Sequence, residues 1–302
     1  MAFPKRMSIG SWKQPLKPET PKVITFDAYN TLYATTLPVM EQYSIVARKY
    51  NINTDPEQLK QRFPAVFKAL KKEHPSYGKY TNITAIEWWS LLIRNVFHPA
   101  EASKEMIDEI LSRFEGEQAY KVYPDVLDFL KEVKMKHPNV VLGIISNTDP
   151  IVDILLKNLG LHDFFEDHIY LSYNLGVKKP SKEIFDRAIE DICSKVPGLL
   201  ESSSLQDLKR RCWHCGDEAT NDLHGAEQAG WNGVLIDRHN KYGYLSKSFE
   251  EVERSADLLS IDKIDSNCDA SYKLSLKQTD TLFLKERACV VSNFETLKAM
   301  LL

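Results

Sequence analysis

Four short stretches carry side chains able to do chemistry. The first, FDAYNTL, delivers Asp27 after an apolar run and follows it with Tyr29, Asn30 and Thr31. GIISNTD closes another apolar run with Ser146 and Asn147, GVKKPSKEIF places Lys178 and Lys179 ahead of a proline, and GDEATND holds Asp217 and Asp222. A carboxylate can attack an electrophilic phosphorus or carbon, and hydroxyl and ammonium groups can hold anionic oxygens. Clustered carboxylates suit a hard cation such as Mg²⁺. Each piece also has an ordinary reading. An Asp after a strand is often a turn residue, Asp217 and Asp222 could cap the helix that follows them, and adjacent lysines alone are a solvated charge pair.

The elements that must position these groups are legible as short apolar runs. VITF (23–26), NVVLGIIS (139–146), CWHCGD (212–217), GVLIDR (233–238) and ACVVSN (288–293) each end in polar or turn residues, the pattern of strands buried on both faces. Helical patterns lie between them. PDVLDFLKEV (124–133) puts Val126, Leu127, Leu130 and Val133 on one face, and DPIVDILLKNL (149–159) starts at Asp149 with Pro150 just inside and stops at Gly160. KEIFDRAIEDI (182–192) and NDLHGAEQAG (221–230) complete the set. Strands alternating with helices predict an α/β fold: right-handed βαβ units in a Rossmann-like, doubly wound parallel sheet, with a binding crevice outside the carboxyl ends of the strands. Asp27, then Ser146 with Asn147, then Asp217 would reach that rim from three strands.

The first two of those strands are too far apart in sequence for one crossover. Residues 39–117 carry helical periodicity, most apolar in ITAIEWWSLLIRNVF, and are expected to form an inserted helical cap with Trp88 and Trp89 in its core. The Rossmann-like core would then comprise 21–38 and 118–302. Residues 1–20, with three Pro and four basic residues, are expected to be a flexible tail. The stretches 194–211 and 240–287 look like surface elaborations without readable chemistry.

Taken together, the four motifs resemble those of the haloacid dehalogenase-like hydrolase superfamily. An apolar strand ends in Asp27 to Thr31, a second in Ser146, Lys179 precedes Pro and IF, and GDEATND follows a fourth strand. The resemblance implies that Asp27 is the nucleophile, giving a covalent aspartyl intermediate that water hydrolyses. Asp27 and Thr31, Ser146 and Asn147, and Lys179 would form the catalytic set. It implies Mg²⁺ held by Asp27, Asp217 and Asp222 and by the backbone carbonyl of Tyr29. One position departs from the family's phosphatases, which usually carry a general-acid Asp where this chain has Tyr29. A phenol with a pKa near 10 is a weak acid at neutral pH. DAY is similar to the family's 2-haloacid dehalogenases, which need neither that acid nor a metal, whereas the other motifs resemble Mg²⁺-dependent phosphatases. Three readings stay open: a hydrolase of a phosphorylated small molecule, restricted to good leaving groups or borrowing an acid such as Glu41 from the cap; a carbon–halogen hydrolase; and a binding protein that keeps the fold.

Composition excludes other classes. The 302 residues carry 39 Lys and Arg against 42 Asp and Glu, a net charge of −3, so no global field draws the chain to nucleic acid or an anionic membrane. No apolar run approaches the roughly 18 residues of a spanning helix. Five cysteines without framework spacing point to reduced thiols and an intracellular, cytoplasmic protein, with Cys212 and Cys215 as buried strand residues. The oligomeric state is not legible.

Overall fold

The computed structural model describes residues 3–12, 18–200, 204–246 and 265–302. Its strands are β1 (Lys5–Ser8), β2 (Val23–Phe26), β3 (Tyr33–Thr35), β4 (Tyr120–Val122), β5 (Val141–Ser146), β6 (Ile169–Leu171), β7 (Cys212–Gly216), β8 (Asn232–Ile236), β9 (Asp280–Lys285) and β10 (Ala288–Val291). Every residue of β2 is buried, because β5 and β7 flank it in parallel register and helices cover both faces of the sheet. That burial is why VITF is apolar throughout rather than alternating.

Eight strands form one sheet in the order β1-β9-β10-β8-β7-β2-β5-β6. The six from β10 to β6 run parallel, and β9 and β1 extend the β10 edge in antiparallel fashion. This is the mostly parallel, helix-flanked Rossmann-like sheet that the sequence predicts. Strand periodicity puts Cys212 and Cys215 of β7 on opposite faces, where they join separate apolar clusters; they cannot chelate one ion together.

Two expectations are corrected. Residues 1–20 are not a tail throughout: Lys5–Ser8 form β1, paired from Lys5↔Phe283 to Ser8↔Asp280, and Trp12 packs against Phe283 with ring centroids 5.7 Å apart. Four residues with Met7 alone turned inward give too little alternation to register as a strand. Positions 13–17 of that stretch lie outside the described residues. Within 240–287, helix Cys268–Ser275 and β9 belong to the core rather than to a surface elaboration, while 247–264 lie outside the described residues.

Between β3 and β4 the chain forms four α-helices, Val39–Lys49, Pro56–Glu73, Ala85–Phe97 and Lys104–Arg113. They enclose their own apolar cluster, which includes Tyr43, Trp88, Leu92, Phe97 and Ile107. Thr84 and Glu87 close a capping box at the third of them. β3 and β4 pair with each other, so the chain entering these helices is zipped to the chain leaving them.

Candidate active site

β2 ends at Phe26, and the next residue, Asp27, is tied to the neighbouring strand by its amide, which donates to Cys215 O at 2.8 Å. The turn then closes through Leu32 N to Ala28 O at 2.9 Å, with Asn30 in the left-handed region at φ 60°, a conformation that Asn tolerates. Asp27 is thereby presented at the carboxyl rim, only 6% exposed. Its Oδ1 accepts from Ser146 Oγ at the end of β5 (2.8 Å) and from Lys179 Nζ (2.9 Å). No hydrogen bond reaches Oδ2 among the described residues.

Lys179 is buried whereas its neighbour Lys178 is exposed, which distinguishes two residues that the sequence leaves equivalent. Asn147 clamps its backbone from both sides: Lys179 N donates to Asn147 Oδ1 at 2.8 Å, and Asn147 Nδ2 donates to Lys179 O at 2.9 Å. The ammonium donates to Asp27, to Asp222 Oδ1 at 2.6 Å and to Ile145 O at 2.6 Å. Burial opposes its charge, but Asp222 and Asp27 outweigh burial and raise its pKa. The same pairing acts in reverse on Asp222: burial would raise it, and Lys179 with His214 holds it well below the usual carboxylate range.

Asp217 and Asp222 follow β7. Asp222 sits in a π-helical turn, Ala219–His224, and only Gly225–Gln228 continues as α-helix, so NDLHGAEQAG is not one continuous α-helix. Asp222 folds back over Gly216, where a Cβ would lie 2.1 Å from its Cγ; only glycine leaves room for the carboxylate. Carboxylate oxygens of Asp27, Asp217 and Asp222 all lie within 4.8 Å of one another. Three hard oxygen donors so close could hold a divalent metal. Asp217 also pairs with Lys241 Nζ at 3.2 Å.

Thr31 is not drawn into this cluster. It is fully buried, and its hydroxyl makes no hydrogen bond among the described residues. Tyr29 turns its hydroxyl to Ser266 Oγ at 2.9 Å, and its ring lies 6.1 Å from Tyr33 and 5.9 Å from Tyr120. Glu41 is exposed at the start of its helix. Sequence reasoning gave no role to His214, Thr25 or Lys241, nor to the contact of Trp89 Nε1 with Asp149 Oδ2 at 3.0 Å, which joins the helical insert to the rim. Tyr77 OH, donating to Asn147 O at 3.3 Å, and Lys79, donating to the carbonyls of Tyr173 and Asn174, strengthen that junction. The helix starts at Ile151 with Pro150, rather than Asp149, at the N-cap, and Asp149 accepts from Ile151 N at 2.9 Å from one residue further out. Its burial raises its pKa while these bonds resist the rise.

A Rossmann-like sheet that gathers a strand-end aspartate, its hydroxyl and ammonium partners and an acidic pair at one rim, with a helical insert above, is the architecture of a haloacid dehalogenase-like protein. A haloacid dehalogenase-like hydrolase family model matches residues 21–230, and the chain belongs to that family. It is 55% identical to an uncharacterized protein of Saccharomyces cerevisiae across 99% of both chains. It is 27% identical to the human haloacid dehalogenase-like hydrolase domain-containing protein 3 over 71% of this chain and 81% of that one. Among solved structures, the L-2-haloacid dehalogenase of Xanthobacter autotrophicus shares the fold at a TM-score of 0.53 and 16% identity, over 92% of this chain and 97% of that one. No described helix is long and apolar enough to cross a membrane.

Proposed function

We propose that this protein hydrolyses a phosphorylated small molecule through covalent attack by Asp27. The observation that carries the reading is the division of labour within that carboxylate: Ser146 and Lys179 both donate to Oδ1, which leaves Oδ2 to attack. As the Oδ2–phosphorus bond forms and the bond to the leaving oxygen breaks, Ser146 and Lys179 hold Oδ1 in place, and the positive charge of Lys179 beside the reacting carboxylate offsets the negative charge brought to it. Water then cleaves the acyl phosphate and regenerates the carboxylate. The carboxylates of Asp27, Asp217 and Asp222 fit Mg²⁺ by donor type and spacing, and the backbone carbonyl of Tyr29 would add a further oxygen; bound there, the ion would neutralise phosphoryl charge.

The hydroxyl of Tyr29 is engaged by Ser266 and is a poor proton donor at neutral pH, so the favoured substrates have leaving groups that depart without protonation. The same observation favours a second reading, displacement of halide from a 2-haloacid. The five thiols are all unpaired, which fits a reducing, cytoplasmic setting.

Phosphate and halide release should be measured with and without Mg²⁺ on wild type and Asp27→Asn. Phosphate release from an aryl phosphate that needs Mg²⁺ and vanishes in Asp27→Asn is the expected result. Halide release independent of metal would favour the second reading, and activity retained by Asp27→Asn would exclude both.

A further inference from the structure

His214 lies on β7, fully buried, three residues ahead of Asp217. Its ring stands edge-on to Phe185, with centroids 5.2 Å apart and planes at 81°, so packing fixes the plane of the imidazole. Nδ1 lies 2.9 Å from Thr25 Oγ1 on β2. Nε2 lies 3.2 Å from Asp222 Oδ1 and 3.5 Å from Lys179 Nζ.

Counting protons decides which nitrogen carries hydrogen. A lysine ammonium has three N–H donors, and three oxygens at 2.6, 2.6 and 2.9 Å already take them: Ile145 O, Asp222 Oδ1 and Asp27 Oδ1. No proton is left for His214 Nε2 at the longer distance. The ionised Asp222 can only accept, so its contact with Nε2 is a hydrogen bond only when Nε2 is protonated. A ring protonated on Nε2 alone has a bare Nδ1. The hydroxyl of Thr25 can fill that lone pair, since its other acceptor, Trp213 O, is at 3.4 Å.

We infer that His214 is the neutral Nε2–H tautomer and a positioning residue. Its N–H and the Lys179 ammonium share Asp222 Oδ1, while Glu218 N holds Oδ2 at 2.8 Å, so Asp222 cannot turn away and Lys179 stays aimed at Asp27. The chain Thr25–His214–Asp222–Lys179–Asp27 ties β2 and β7 to the attacking carboxylate. The tautomer rests on geometry alone; the effect on rate rests on the nucleophilic role of Asp27.

Two measurements test this on the full-length protein. With ¹⁵N-labelled histidine, long-range ¹H–¹⁵N correlation should show one ring, absent from His214→Gln, with a protonated Nε2 and an unprotonated Nδ1 throughout neutral pH. The opposite tautomer would overturn the inference. In aryl phosphate hydrolysis, His214→Leu should lower kcat about 10- to 100-fold, the scale seen when partners behind a catalytic group are lost, with KM changed far less. His214→Gln, whose amide N–H reaches the Nε2 position, should recover most of that loss, and His214→Asn, which is shorter, should not. Equal kcat in the Leu and Gln variants, at matched thermal midpoints, would overturn the positioning role. If wild type turns over no phosphate ester, the hydrolase reading fails while the spectrum still decides the tautomer.

Discussion

Tyr29 and Asp27 stand two residues apart and differ in how far their roles could be read from sequence. Asp27 announces itself because a polar residue that closes an apolar strand is conspicuous, and its partners Ser146 and Lys179 do the same on other elements. His214 and the carbonyl of Ile145 do not. A His within CWHCG reads as strand interior, and the contacts of its two ring nitrogens, with Thr25 and Asp222, exist only in the folded chain. Asn147 is an intermediate case: a strand-end amide, it serves by clamping the backbone of Lys179 rather than by touching Asp27. If the proposed mechanism holds, Tyr29→Asp would add a general acid, and hydrolysis of alkyl phosphates, which have poor leaving groups, should rise up to roughly 10²-fold, the lower end of what general acid–base catalysis contributes. The variant loses the Ser266 hydrogen bond and the contacts with Tyr33 and Tyr120, so its stability should fall by about 1–3 kcal/mol. Rate assays alongside chemical denaturation separate the two effects. An unchanged rate on alkyl phosphates would mean that the acid is not what limits them.

Elements were legible where apolar runs were long enough to show a pattern. β2, β5, β7, β8 and β10 are such runs, whereas β3, β4 and β6 have three residues each, and β1 has four of which Met7 alone is apolar. Two elements are fastened by charges that the sequence could not pair. Asp125, at the start of helix Pro124–Lys136, binds Arg238 after β8 through two hydrogen bonds of 3.0 and 3.1 Å and also accepts from Phe294 N at 2.8 Å. Arg238 in turn lies over the ring of Tyr123 at 3.7 Å. Asp125→Ala leaves a buried guanidinium without its counter-charge, so equilibrium unfolding should report a loss of about 3–5 kcal/mol. A loss below about 1 kcal/mol, the range of exposed pairs, would show that the pair is solvated.

A pH effect belongs to the loop ahead of β6. Burial, with a smaller contribution from Lys195, lowers the pKa of His168. The unfolded chain therefore binds more protons than the folded one at this site, and stability present above the ordinary value of about 6.5 is lost as pH falls through the folded value. Burial raises Asp149 and Asp237, which act with the opposite sign at lower pH, so the comparison must be differential. Between about pH 7.5 and about pH 5.5, on either side of the histidine pKa, His168→Asn should lose less of its thermal midpoint than wild type does. Equal losses would remove His168 as a contributor.

At the scale of the whole molecule, the sheet, the helical insert and the rim of charged groups are joined by specific contacts. β3 and β4 carry the chain out and back, Ser266 receives the hydroxyls of Tyr29 and Thr35, and Trp89 reaches down to Asp149. The parallel sheet and the helical periodicity of the insert were readable because each repeats over many residues. The Ser266 contacts were not, since they join positions 237 and 231 residues apart in a stretch without periodicity. Three carboxylates drawn together in the folded state should bind Mg²⁺ there and not in the unfolded chain. Saturating Mg²⁺ should therefore stabilise wild type, by about 2.7 kcal/mol at a hundredfold excess over Kd, and Asp217→Asn much less. An identical response from both proteins would place any bound ion elsewhere.

The nucleophilic role of Asp27 is tested most directly by acid-quenching turnover of ³²P-labelled p-nitrophenyl phosphate in the presence of Mg²⁺ and mapping the label by peptide. Hydroxylamine-labile label on the peptide containing Asp27, absent from Asp27→Asn, is the expected result. Undiminished turnover by Asp27→Asn, with no label on that peptide in wild type, would contradict it.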